Sequence, residues 1–284
     1  MAKEQAGQPE IGLSVDAGGI STNYHDLGEG EPVVLIHGSG PGVTAWANWR
    51  FTIPELSKSF RVIAPDIYGF GYTEFPTEPI RDMRIWIEHL RAFLDALGLE
   101  KANLIGNSFG GALTLAFLIA QPHRVNRAVL MGAAGLDFKI TEGLDHVWGY
   151  EPSFENMRRV VRYLAHDQSR ITDDLIKSRY DASIRDGVWE AYNTTFGQEP
   201  RQDQVKLLTS KEDDIAGIEH EVLILHGRDD QVLPSSLAPR LNRLIPNSDA
   251  HVFGNCGHWV QIERATSFNL LVTDFLKNGL KSGG

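Results

Sequence analysis

Short apolar runs alternate with amphipathic segments along most of this chain. Val33 to His37, Val62 to Ala64, Asn103 to Asn107, Ala128 to Gly132 and Val222 to Gly227 are nearly continuous in hydrophobic residues, the pattern of strands covered on both faces. Ala250 to Phe253 reads as a further strand, and two strand-like pieces around Gly18-Gly19 suggest an N-terminal hairpin. Between the strands, Arg81 to Leu97 places Trp86, Leu90, Phe93, Leu94 and Leu97 on one helical stripe, with Gly98 as the stop. Phe109 to Ala120 and Ala265 to Leu276 also read as helices. This alternation predicts an α/β fold, a mostly parallel sheet with helices on both faces.

From about Leu136 to Ala216 the rhythm breaks. No buried strand is apparent there, only helical patterns (Phe154 to Leu164, Asp173 to Ile184, Trp189 to Phe196) rich in charges and aromatics. Such an excursion either decorates the surface or caps a site, since long insertions in compact folds are often lids. The domain division expected is a core of residues 1–135 and 217–284 with a helical cap at 136–216.

Composition narrows the function. The 284 residues, with 42% hydrophobic and 23% charged, suit a soluble globular chain with a full core. Lys+Arg 27 against Asp+Glu 37 gives a net charge of -10 with no basic run, which argues against nucleic acid as a partner. Cys256 is the only cysteine, so an internal disulfide framework and cysteine-clustered metal sites are excluded. Met1 to Glu10 lacks an apolar signal core, and Phe109 to Ala120 is shorter than the roughly 20 residues a bilayer needs. A cytoplasmic protein without membrane attachment is expected, with frayed ends at Met1 to Pro9 and Lys281 to Gly284.

The chemistry begins at Gly106-Asn107-Ser108-Phe109-Gly110. Gly-x-Ser-x-Gly between an apolar strand and an apolar helix fits a nucleophile elbow, a turn tight enough to strain and expose the serine. Its alternative is an ordinary glycine-rich turn. A serine nucleophile needs an oxyanion hole, and His37-Gly38-Ser39-Gly40-Pro41-Gly42 after the first buried strand can supply the Ser39 N–H beside that of Phe109. The same loop fails as a dinucleotide fingerprint, which would need glycine at Val43, and the chain has no Gly-Lys-Ser/Thr phosphate loop. Of ten histidines, His258 stands out in the loop Gly254-Asn255-Cys256-Gly257-His258-Trp259, in the Ser…Asp…His order of such sites. Asp229 and Asp230 both follow a strand and could orient its imidazole; the residues alone leave the choice open. Nothing has the spacing of a catalytic metal site, and Cys256 reads as a packing residue.

These stretches, with Thr141-Glu-Gly-Leu144, Val147-Trp-Gly-Tyr150 and His226-Gly-Arg-Asp-Asp-Gln231, resemble the meta-cleavage product hydrolases, carbon–carbon bond hydrolases of the α/β-hydrolase fold. The likeness runs over nearly the whole chain and is strongest to 2-hydroxymuconic semialdehyde hydrolases and their alkyl-substrate relatives. It implies Ser108 as nucleophile, His258 as base and acid, Asp230 as its partner, and Ser39 and Phe109 as the oxyanion hole. It implies that Asn48, Asn107, Arg179 and Trp259 hold the dienoate end of the substrate, and that Ala134, Val205 and Leu233 line the pocket on the ketone side. The substrate class implied is a small-molecule 2-hydroxy-6-oxohexa-2,4-dienoate, the product of catechol ring fission, cleaved with no cofactor and no metal, by a homo-oligomer (dimer or higher). By itself Arg179 could equally be a surface ion-pair partner of Asp181. A small-acyl esterase with the same triad, and an inactive binding module of the same fold, are the competing readings.

Overall fold

The computed structural model describes residues 9–280; of the ends expected to fray, residues 1–8 and 281–284 lie outside them. Eight strands form one sheet: β1 (Leu13–Asp16), β2 (Ser21–Leu27), β3 (Pro32–Ile36), β4 (Arg61–Pro65), β5 (Ala102–Asn107), β6 (Val125–Met131), β7 (Val222–Gly227) and β8 (Ser248–Phe253), in the order β1-β2-β4-β3-β5-β6-β7-β8. The hairpin β1–β2 turns at Gly18 and Gly19 and joins antiparallel; β3 to β8 pair in parallel.

The central strands are apolar on both faces because both faces are covered. Along β3, Val33 and Leu35 enter one core with the helices Ala45–Trp49, Ile53–Leu56 and Ala265–Asn278, while Val34 and Ile36 enter the other with Met83–Ala96 and Phe109–Ala120. That is the two-residue side-chain period of a strand read out as two cores. Met83–Ala96 follows the predicted stripe, capped by the Asp82 carboxylate on Arg84 N–H and ended by Gly98 at φ 66°.

Between β6 and β7, residues 136–216 contain helices and no strand. Phe154–Leu164 and Asp173–Ser183 form as expected, each with its N-cap hydroxyl (Ser153, Thr172) accepting a backbone N–H. The Trp189 to Phe196 pattern splits into Val188–Tyr192 and a wider π turn, Asn193–Gly197. The chain reverses its strand order at β3, with β4 on one side and β5 on the other, so the loops leaving β3 and β5 diverge over a crevice at the sheet's carboxyl edge. Among the described residues no helix is long and apolar enough to cross a membrane.

Candidate active site

Ser108 sits between β5 and the helix Phe109–Ala120 at φ 56°, ψ −114°, a conformation that costs a non-glycine residue about 1–3 kcal/mol. Hydrogen bonds hold it there: Ser108 N–H donates to Met131 O (3.0 Å), and Gly111 and Ala134 N–H donate to Ser108 O (2.9 and 3.1 Å). The glycines are steric requirements. A Cβ on Gly110 would collide with the backbone oxygens of Ile36 and His37, one on Gly106 with Gly110 O, and one on Gly111 with Ala133. The turn is possible because three positions have no side chain.

The loop after β3 meets this elbow. A Cβ on Gly38 would lie 3.2 Å from that of Ser108, so the two loops touch. His37 is fully buried; its Nδ1–H donates to Gly38 O (2.7 Å) and its Nε2 accepts the Ile67 N–H (3.0 Å). Burial drives its pKa down to about 4, consistent with a neutral ring serving as donor and acceptor at once. The carbonyl and N–H of one trans peptide point in opposite directions. Anchoring Gly38 O on His37 therefore turns the Ser39 N–H away from that ring. Phe109 opens its helix, so its N–H has no intrahelical acceptor.

His258 and Asp230 arrive on the loops after β8 and β7. His258 Nδ1–H donates to Asp230 Oδ2 at 2.7 Å, which leaves Nε2 as the basic nitrogen. The Asp230 side chain is fully buried. Burial pushes its carboxyl up, but His258 and His226 outweigh that and hold it well below the usual carboxylate range; Oδ1 accepts the Val232 and Leu233 N–H groups (2.8 and 2.9 Å). Asp229 points elsewhere: it accepts the Cys256 N–H (3.3 Å) and pairs with Arg228. The geometry thus separates two aspartates that are equivalent in sequence.

The histidine loop is braced by residues that no motif announces. Glu263 accepts Gly257 N–H on Oε1 (2.8 Å) and both His166 and Asp167 N–H on Oε2 (3.0 and 2.9 Å). Leu164 O, at the end of an inserted helix, accepts from His258 N–H (2.9 Å). Burial raises the Cys256 thiol to about 12, which removes it as a nucleophile.

Ser39, Asn48, Asn107, Ser108, Arg179, His258 and Trp259 all border one cavity of about 590 Å³, its mouth included. The Arg179 guanidinium lies 5.7 Å from the Trp259 ring centroid and donates to Ala47 O (3.2 Å). Asp181 is taken by Lys177, and Arg179 has no carboxylate partner among the described residues. Burial, with the Arg50 charge beside it, lowers its pKa to about 10. Asn48 adds a buried Nδ2 without a hydrogen-bond partner among the described residues. One end of the cavity therefore offers unused donors beside a cation.

The other end departs from expectation. Ala134, Val205 and Leu233 do not border this cavity. Ala134 packs behind the elbow, Leu233 serves Asp230 through its N–H, and Val205 is buried on the helix Gln202–Leu207. The apolar wall is instead Leu144, Val147, Met157, Val160, Val161 and Leu164. The helix Phe154–Leu164 turns one face, at i, i+3, i+4 and i+7, onto the site, and side-chain periodicity decides which residues stand there. Trp148 ties this insertion to the loop after β3 by donating to Ser39 Oγ (3.0 Å).

Residues 31–265 match the family model described as the alpha/beta hydrolase fold. The chain is 58% identical to a 2-hydroxy-6-oxo-2,4-heptadienoate hydrolase of Pseudomonas putida over 94% of this chain and 96% of that one. The chain belongs to the α/β-hydrolase family, among its meta-cleavage product hydrolases. The hydrolase is also 53% identical to a 2-hydroxymuconate semialdehyde hydrolase of Pseudomonas sp. (strain CF600), over 94% of each chain. In structure it is similar to the meta-cleavage product hydrolase from Pseudomonas fluorescens IP01, solved as a serine-to-alanine mutant with acetates: TM-score 0.94, 51% identity, covering 96% of this chain and 100% of that one.

Proposed function

We propose that this hydrolase cleaves the carbon–carbon bond of 2-hydroxy-6-oxohexa-2,4-dienoates carrying hydrogen or methyl at C6, with Ser108, His258 and Asp230 as its triad. The observation that carries the substrate class is the cavity bordered by Ser108 and, at its polar end, by a half-buried Arg179 that forms no ion pair with a carboxylate among the described residues. A planar guanidinium matches a carboxylate with two parallel hydrogen bonds, so the substrate's C1 carboxylate docks there beside Asn48. The small C6 group follows from the relatives of 53–58% identity, whose names give a heptadienoate and a semialdehyde.

Carbon–carbon bonds resist hydrolysis because the departing fragment is a carbanion. Ketonisation of the dienol first places a carbonyl at C2. The electron pair released from the C5–C6 bond then spreads onto that oxygen and leaves as a dienolate. Ser108 Oγ adds to the C6 carbonyl as His258 Nε2 takes its proton, and the oxyanion receives the N–H groups of Ser39 and Phe109. C5–C6 cleavage releases 2-hydroxypenta-2,4-dienoate, protonated from His258, and leaves an acyl-serine. His258 then activates water to free the small carboxylic acid. Asp230 holds the imidazole in the Nδ1–H tautomer throughout. The helices of residues 136–216 act as the cap, closing water out of the site where these hydrogen bonds strengthen.

A panel of ring-fission products with hydrogen, methyl, larger alkyl and phenyl at C6, followed by loss of visible absorbance, tests this directly. The hydrogen and methyl substrates should be turned over fastest, and Ser108→Ala should lower turnover by roughly 10⁶ while still binding them. Turnover of simple esters with none of any dienoate would make the protein an esterase.

A further inference from the structure

The triad carboxylate serves two imidazoles. His226, at the end of β7, is buried and has its Nε2 3.1 Å from Asp230 Oδ2, the oxygen that also accepts from His258 Nδ1. The same Nε2 lies 3.3 Å from Leu233 O. Both neighbours are acceptors only, so Nε2 must carry the proton and His226 is a donor in its Nε2–H form. With Val232 and Leu233 N–H on Oδ1, the carboxylate is held from both oxygens and cannot swing.

We infer that His226 is a positioning residue for the triad: it fixes the Asp230 carboxylate and, by sharing Oδ2, tempers how strongly that oxygen draws on His258. The inference rests on the proposed triad and goes one residue beyond it. A carboxylate oxygen that accepts two hydrogen bonds presents less charge to each donor than one that accepts a single bond. Removing the His226 donor should make Oδ2 a stronger partner for the His258 imidazolium that forms during turnover. The other titratable groups around Asp230 are Asp229, engaged by Arg228 and the Cys256 N–H, and the buried Cys256 thiol, on the two loops that meet here. Neither offers Oδ2 a hydrogen bond in place of His226.

The test compares His226→Gln with His226→Asn. Glutamine extends its amide nitrogen to about the place of Nε2, whereas asparagine stops short. His226→Asn should lower kcat by roughly ten- to hundredfold on both a dienoate and a neutral ester, with KM little changed. It should also move the acid limb of the kcat profile upward by roughly half a unit or more. His226→Gln should stay within about threefold of the parent, with the limb in place. A limb unmoved in the asparagine variant, or moved as far in the glutamine one, overturns the inference. The glutamine variant also supports a measurement without turnover: the downfield proton resonance of the His258–Asp230 bond, assigned by its loss in Asp230→Asn, should keep the parent's position, and a displaced resonance likewise overturns the inference. Activity retained by Ser108→Ala would instead undo the triad assignment, a separate outcome.

Discussion

Replacing Arg179 should separate two activities of one site. In the free protein its guanidinium is half-buried, spends one hydrogen bond on Ala47 O, lies over Trp259, and forms no ion pair with a carboxylate among the described residues. On the proposed reading, a bound dienoate gives it two charge-assisted hydrogen bonds, each worth about 1.5–3 kcal/mol. At the low end, Arg179→Ala forfeits roughly 3 kcal/mol, or about 10²-fold in kcat/KM at 1.36 kcal/mol per decade. Arg179→Lys keeps the charge but not the fork, and should lose about tenfold. Because the carboxylate is remote from the bond broken and yet positions C6 at Ser108, both kcat and KM should change. A neutral ester such as p-nitrophenyl acetate has no carboxylate to lose and should be spared. Stability supplies a second reading of the same variant. Desolvation next to Arg50, only partly offset by Glu10, is unfavourable for the free protein, so Arg179→Met should leave Tm unchanged or raise it. The assay is parallel kinetics on a dienoate and on the ester, with a thermal melt of each variant. Equal loss on the two substrates, together with a lowered Tm, would refute the reasoning and make Arg179 a strut of the cap.

Two further outcomes follow from buried charges. Asp230→Asn should cost on the order of 10⁴ in rate by stranding His258 in the wrong tautomer, while Asp229→Asn, which only loosens the Cys256 N–H and Arg228 contacts, should stay mild; side-by-side kinetics check the ranking. Buried His37 and His89, pushed by burial from 6.5 down to about 4, stay neutral in the fold and charge in the unfolded chain, so stability is full above pH 6.5 and falls as pH drops toward 4. Asp66, raised by burial to about 6, works the other way between 3.8 and 6 and softens the fall without cancelling two histidines. Melts from pH 7 to 4.5 should therefore show a declining Tm, and His89→Gln, which removes one of the two, should flatten the slope.

Much of this was legible in the chain because the physics is local. A strand covered on both faces must be apolar throughout, so β3, β5, β6 and β7 announce themselves, with ends differing by a few residues. The elbow is legible because its strain demands glycine at Gly106, Gly110 and Gly111, a signature written within six residues. The helices of 136–216 are legible as amphipathic periods, although their shorter members, Gln202–Leu207 and Glu212–Ala216, carry too few turns to show one.

Tertiary structure decided what depends on residues far apart in sequence. Asp229 and Asp230 are chemically identical neighbours, and only the direction in which β7 delivers them selects the one that meets His258, 28 positions away. His226 and Glu263 act through oxygens and N–H groups brought together by folding, with no spacing to mark them. The apolar wall passed from Ala134, Val205 and Leu233 to the Phe154–Leu164 face because the placement of an inserted helix over a cavity is a packing outcome. Sequence determined which chemistry the chain could hold, since strain, burial and periodicity act between near neighbours. Which groups touch, and so which of them shape the reaction, was settled only when the strand ends converged.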